Sequence, residues 1–250
     1  MNAGPADELQ ALRAQLAAAR ADTEEFARMV SHDLRAPLRH VLAYGGLLRE
    51  MLESGEDVAP ALDTLERAAR QLGERLDAVV ALARLARAPL QPVHTPGALL
   101  VEEARRLALA ALPEADRART IAWQIAPDLP PLPGDAPQLR QALAALLANA
   151  LKFTRPRGAA RIEVGAAAAG DGGVRLYVRD NGVGFDPAHA AQLFQPFSRL
   201  HGARFEGLGT GLALVRQVAR RHGGSVHAEG RPDQGCTVWL ALPPLARPAA

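Results

Sequence analysis

One histidine in this sequence stands in a setting suited to nucleophilic chemistry. The stretch Ser31-His32-Asp33-Leu34-Arg35-Ala36-Pro37-Leu38-Arg39 sets an imidazole directly before a carboxylate, among arginines, just ahead of a proline in a helical pattern. Neutral imidazole attacks well near pH 7, and an adjacent carboxylate can hold one ring N–H so that the other nitrogen is free. Arg28, Arg35 and Arg39 are placed to meet phosphate. An exposed histidine on a charged helix has the same local look, so the segment takes its meaning from the rest of the chain.

More than a hundred residues on, three further stretches suit ATP. Asn149 and Lys152 share a face at the end of an apolar helix. An amide oxygen suits hydrated Mg²⁺ and a lysine suits phosphate, although polar residues are common at any helix end. Asp180-Asn181-Gly182-Val183-Gly184-Phe185 follows a strand. Its carboxylate can accept a hydrogen bond from an exocyclic amine such as that of adenine, and its glycines let backbone approach a ring. The same Asn-Gly pair equally marks a strand-ending turn. Gly207-Leu208-Gly209-Thr210-Gly211 opens a helix, which suits phosphate binding by backbone N–H groups. It lacks the lysine-threonine ending of a P-loop. Between these stretches, 186–206 is polar with Phe194, Phe197 and Phe205 interspersed, and reads as a lid in which Arg199 and His201 face a terminal phosphate.

The elements that must position these groups follow from periodicity. Leu9, Leu12, Leu16, Ala19, Thr23, Phe26 and Val30 alternate steps of three and four, a heptad seam that predicts a parallel coiled coil. Beyond it, Phe26, Val30, Leu34 and Leu38 are each four apart, so the seam changes phase at His32, and such an insertion locally unwinds a coil. Pro37 has no N–H, which deprives the Asp33 carbonyl of its helical partner and bends the helix there. The coincidence reads as a mechanical joint at His32. At about 100° per residue, His32 lies about 160° from Leu34 and faces solvent. After the polar turn 53–57 a second seam runs from Val58 through Leu62, Leu65, Ala69, Leu72, Leu76 and Val79 to Ala86. Two such helices make an antiparallel hairpin, and one hairpin cannot bury both stripes. Two hairpins form a four-helix bundle, so a homodimer is implied.

Pro89 and Pro92 break the second helix. The remainder reads as an α/β domain: helices over 96–112, 138–153 and 210–221, strands over 120–125, 162–165, 174–179, 225–229 and 237–242, and a rigid Pro-rich connection over 127–137, with Asp135 a helix N-cap. This pattern predicts a mixed sheet with helices on one face, an α/β sandwich.

Composition agrees. The 250 residues are 48% hydrophobic and 22% charged, an ordinary globular balance for one large or two small domains. A net charge of +2 gives no reason to expect nucleic acid as a partner. Cys236 is the only cysteine, which excludes an intrachain disulfide and suits a reducing, cytoplasmic setting. No apolar run approaches the roughly 20 residues of a membrane span. His40, His94, His189, His222 and His227 lack metal-ligand spacing and read as surface or core histidines.

In their order, these stretches resemble the sensor histidine kinases of two-component signalling, from about Thr23 to Pro243. Ser31 to Pro37 is similar to the family's H box and Asn149 to Phe153 to its N box. Asp180 to Gly184 is similar to the first glycine box, Phe194 to Phe197 to the F box, and Gly207 to Gly211 to the second glycine box. His-Asp-Leu-Arg-Ala-Pro-Leu-Arg and Asn-Ala-Leu-Lys-Phe-Thr-Arg-Pro are similar to the phytochrome-like and PAS-linked branch. The resemblance implies a dimeric helical hairpin for phosphotransfer, followed by a GHKL or Bergerat-type ATP-binding sandwich. It implies ATP and Mg²⁺ as cofactors and a response regulator receiver domain as partner. It makes His32 the phosphoacceptor and Asp33 its general base or orienting partner. It gives Mg²⁺ to Asn149, phosphates to Lys152 and Arg199, and adenine to Asp180 with Phe153 stacked nearby. Gly182, Gly184, Gly207, Gly209 and Gly211 shape the pocket and lid. The expected domains are a coiled-coil signalling helix over 1–25, the hairpin over 26–88, a linker over 89–96 on which the ATP domain swings, the ATP-binding domain over 97–245 and a tail over 246–250.

Two positions depart from the family's pattern. The N box usually has another asparagine four residues before the metal ligand, where Ala145 stands here, which weakens the case for metal or phosphate binding. The family's phosphatase activity needs Thr or Asn four residues after the histidine to orient a water. Ala36 stands there, so weak phosphatase activity is expected. Two rival readings remain: an ATPase or serine kinase on the same fold, and a degenerate dimeric scaffold that binds ATP without transferring phosphate.

Overall fold

The computed structural model describes residues 5–169 and 172–245, in two compact units, Met1–Val80 and Ala81–Ala250. In the first unit, α1 spans Pro5–Ser54 and continues through Pro37, while α2 spans Ala59–Arg87 and crosses into the second unit. Asp57 accepts the Ala59 N–H at 3.0 Å and starts α2 after the polar turn. The backbone of α1 is helical along the first heptad seam, but the side chains of Leu9 to Phe26, and with them the expected coiled-coil contacts, lie outside the described residues.

The heptad columns explain how the hairpin holds together. Leu34, Val41 and Leu48 of α1 are half-buried, as are Val58, Leu65, Leu72 and Val79 at and along α2. The alternate column is open: Leu38 and Leu52 are 44% and 69% exposed, and Leu62 and Leu76 are 43% and 45% exposed. Each helix covers one apolar column against the other and presents the second outward. Arg75 of α2 donates to the Asp33 carbonyl at 2.6 Å, the carbonyl that Pro37 leaves without a helical partner.

The second unit opens with the last turns of α2, where Leu82 and Leu85 are buried. Within the stretch expected as a linker, β1 (Val93–Thr95) pairs antiparallel with β3 (Leu132–Gly134), which lies in the Pro-rich run read as a bare connection. Three-residue strands are too short to show alternation in sequence. The main sheet contains β2 (Ile121–Ile125), β4 (Ala160–Ala168), β5 (Val174–Asp180), β6 (Ser225–Gly230) and β7 (Cys236–Leu242), in the order β2-β4-β5-β7-β6. β2 runs parallel to β4 and the other pairs are antiparallel, the mixed sheet expected. β4 is longer than its apolar run because Ala166–Ala168 pair in register with Val174–Leu176.

Helices α3 (Gly97–Ala110), α4 (Ala136–Phe153) and α5 (Gly211–Arg221) supply the other layer. Leu139, Leu143, Leu147 and Leu151 form a fully buried stripe on α4 and share one core with Leu100, Ile162, Leu176 and Leu240. Alternate strand residues Glu163, Tyr177 and Trp239 lie on the opposite face, where Tyr177 donates to Glu163 at 2.6 Å and its ring lies 4.9 Å from that of Trp239. Asp135 caps α4 by accepting the Gln138 N–H at 3.1 Å and also accepts the Gln91 N–H at 3.0 Å. Its own N–H donates to His222 Nε2 at 2.9 Å, and His222 Nδ1 donates to the Val218 carbonyl at 2.7 Å. His222 is therefore a half-buried histidine that ties α5 to the start of α4.

Candidate functional site

His32 belongs to the first unit and projects into solvent, its side chain 86% exposed. Its Nδ1 lies 3.1 Å from Asp33 Oδ1. That contact occupies one ring nitrogen and leaves Nε2 outward. Ala36 follows one helical turn later and offers only a methyl group.

The second unit contains a cavity of about 280 Å³ formed by three motifs far apart in sequence. The last turn of α4 delivers Asn149, Lys152 and Phe153. The end of β5 and its turn deliver Asp180 and Gly184, and the turn before α5 delivers Gly207, Gly209 and Gly211. Gly182 lies just beneath: its N–H donates to Asp180 Oδ1 at 2.7 Å. A Cβ at Gly182 would stand 2.6 Å from the Phe153 carbonyl oxygen. Gly184 and Gly209 take φ of +63° and +76°, where L side chains are strained. A Cβ on Gly209 would also meet the Ser198 carbonyl oxygen at 2.5 Å. Glycine is thus required where the turn before α5 folds back on Ser198.

Burial raises the Asp180 carboxyl from its ordinary 3.8 to about 6, opposed by the N–H groups of Gly182 and Cys236. Lys152 is lowered, chiefly by burial, with Glu206 opposing and Arg155 and Arg199 adding to the effect. Its ammonium lies 4.5 Å from the Phe153 ring centroid and donates to the Glu206 carbonyl at 3.4 Å. Phe153 also packs on Phe205 at 5.0 Å and on His201 at 5.4 Å.

The lid differs in detail from the sequence expectation. His201, expected at a terminal phosphate, packs on Phe153 and its Nε2–H donates to the Gly184 carbonyl at 2.9 Å. Arg199 lines the cavity, but its guanidinium donates to the carbonyls of Gly202 and Phe205. Sequence reading missed the lid's main tie. Arg155 pairs with Asp116 at 2.6 Å and takes both carboxylate oxygens of Glu206, which lowers the Glu206 carboxyl to about 2. Those three residues share no local pattern, so only the fold brings them together. Cys236 lines the cavity beside Asp180, and burial pushes its thiol well above the ordinary range, as an inert thiol requires. Among the described residues no cluster of three or more His, Cys, Asp or Glu could hold a metal.

Two family models match in tandem. Residues 22–87 match the His Kinase A (phospho-acceptor) domain, and residues 134–246 match the histidine kinase-, DNA gyrase B- and HSP90-like ATPase. The chain belongs to the histidine kinases. A methanogenesis regulatory histidine kinase, FilI of Methanothrix harundinacea, is 33% identical over 238 residues, 94% of this chain and 26% of the relative. Cyanobacterial phytochrome B of Nostoc is 29% identical over 95% of this chain and 31% of its own. The chain thus spans well under half the length of these relatives. Among solved structures, ShkA in complex with AMPPNP is 29% identical, with a TM-score of 0.57 over 90% of this chain and 47% of that one. ThkA in complex with the response regulator TrrA has a TM-score of 0.65 over 97% of this chain and 68% of that one; at 17% identity it shows the shared fold alone.

Proposed function

We propose that this chain is the core of a sensor histidine kinase, which phosphorylates His32 from ATP and passes the phosphoryl group to an aspartate of a response regulator receiver domain. The observation that carries the reading is the exposed His32 with Nδ1 held by Asp33, on the same chain as a cavity where Asn149, Lys152 and Asp180 converge. Residues 26–88 would serve as the dimerisation and phosphotransfer hairpin and 97–245 as the ATP-binding domain. The outward heptad columns at Leu38 and Leu52, and at Leu62 and Leu76, support a homodimer in which a second hairpin covers them. No helix among the described residues is long and apolar enough to cross a membrane. An ATP-consuming site and a single cysteine support a cytoplasmic location.

Asp180 accepts from the adenine amine at the buried end of the cavity, beside Phe153, and Lys152 meets the phosphates at the Gly207 end. Asn149 is the side chain that would hold Mg²⁺. Its amide lies 3.6 to 3.9 Å from where a Cβ on Gly211 would stand, ordinary contact distance, so it borders the turn that opens α5. One protein oxygen plus substrate phosphates is a usual Mg²⁺ arrangement, so these residues fit the ion. When bound, the ion neutralises phosphate charge. Nε2 of His32 attacks the γ-phosphorus, forming an N–P bond as the bond to the β–γ bridging oxygen breaks and ADP leaves. The ring's positive charge is relieved when Nδ1 passes its proton to Asp33. The chain's own contribution is positioning plus electrostatics. Dephosphorylation of the receiver is weak, because the Ala36 methyl cannot orient a water.

Two experiments test this. Labelled protein mixed with a panel of receiver domains loses its label to at least one of them, and retention against every receiver tested contradicts the transfer step. Ala36→Thr increases receiver dephosphorylation, and no gain contradicts the explanation from Ala36.

A further inference from the structure

Pro37, inside α1, carries a device that the phosphotransfer reading does not use. In an α-helix the carbonyl of residue 33 accepts from the N–H of residue 37, and proline has none. Yet α1 continues through Pro37, which is buried. The orphan carbonyl is taken up from the other helix: Arg75 Nη1 donates to it at 2.6 Å, across 42 residues of sequence. A guanidinium donor makes this bond stronger than the amide bond it replaces. Arg75 lies between Leu72 and Val79, the half-buried column that faces α1, so the packing of the hairpin delivers it. Asp33 is thus held twice. Its backbone is pinned by α2, and its carboxylate holds the His32 ring at 3.1 Å.

We propose that Arg75 is a positioning residue for phosphoryl acceptance. It closes the gap that Pro37 opens in α1 and thereby fixes the rotation of the turn bearing Asp33 and His32. Pro37 and Arg75 form one unit: the proline removes an intrahelical bond, and the arginine replaces it with a bond between helices, so that the His32 turn is governed by the register of α2. The proposal rests on His32 being the phosphoacceptor. Losing one charge-assisted bond to a part-buried carbonyl corresponds to about a tenfold loss of rate.

The test is a double-mutant cycle in the full chain, using Arg75→Gln, Pro37→Ala and the combination, with Arg75→Lys as the conservative variant. Arg75→Gln lowers the rate of His32 labelling at saturating ATP by about tenfold, leaves nucleotide affinity unchanged, and is partly rescued by Arg75→Lys. In the Pro37→Ala background an amide N–H serves the Asp33 carbonyl, so Arg75→Gln costs less than about twofold. An equal loss in both backgrounds, or a loss explained by nucleotide affinity, overturns the proposal. Should Pro37→Ala itself abolish labelling, thermal unfolding of the same four proteins is read the same way: coupling between the two positions supports the proposal and additivity overturns it. Label that persists in His32→Gln removes the acceptor assignment instead, and the positioning role falls with it.

Discussion

Asp180 gives the account its most quantitative test. Its carboxyl is raised from 3.8 to about 6, chiefly by burial, with two backbone N–H groups opposing. That displacement corresponds to about 3 kcal/mol of added ionisation cost. In the proposed function, nucleotide binding needs the ionised form, an acceptor for the adenine amine. Near pH 7 about nine-tenths of the molecules have it and near pH 5 about one-tenth, so affinity falls by about tenfold between those values. The sign for stability is the reverse. A raised folded pKa means that the folded state holds its proton more tightly, so this group's contribution is fully present below 3.8 and lost as pH rises through about 6. Asp180→Asn keeps an acceptor oxygen and removes the titration. Titrating a fluorescent adenine nucleotide at intervals from pH 5 to 8 into wild type and Asp180→Asn cancels the nucleotide's own protonation. The wild type to mutant affinity ratio rises about tenfold from pH 5 to 7, and the mutant's gain in melting temperature over wild type is larger at pH 7 than at pH 4. A flat affinity ratio across that range would refute the burial argument.

Gly209→Ala forces a side chain onto φ +76° and against the Ser198 carbonyl. Nucleotide affinity falls by about tenfold or more, with little change in the circular dichroism of the fold; unchanged affinity would show that this turn tolerates a methyl. Leu147→Ala empties a site 1% exposed at the centre of the sandwich and costs about 3 kcal/mol in chemical denaturation of the second unit. A cost below about 1 kcal/mol would mean that the core collapses around the gap.

Much of the fold could be read from residues whose signals are local. The apolar periods of α1 beyond His32 and of α2 fix the hairpin because packed helices must repeat their apolar residues at that period, and the structure divides each into an inner and an outer column. Asp135 stood out as an N-cap because a carboxylate before Ala-Pro suits the free N–H groups of a starting helix. Gly182, Gly184 and Gly209 were legible because close backbone approach there admits nothing larger. What escaped depends on residues brought together only by tertiary folding. Arg155 and Glu206 are 51 positions apart, and nothing local marks them as partners. Arg75 replaces a bond that Pro37 removes, yet it looks like any helical arginine. β1 and β3 are held by each other and have no period of their own. Arg199 and His201 were expected at a terminal phosphate by type, but their hydrogen bonds go to the carbonyls of Gly202, Phe205 and Gly184.

The central claim is that His32 accepts a phosphoryl group from ATP. The direct measurement is incubation with Mg²⁺ and γ-labelled ATP, for wild type and His32→Gln, followed by acid and alkali treatment. Acid-labile, alkali-stable label that is absent from the mutant is the predicted result. An unlabelled wild-type protein that still binds nucleotide would contradict it, and would favour a scaffold whose Ala145 has cost it transfer.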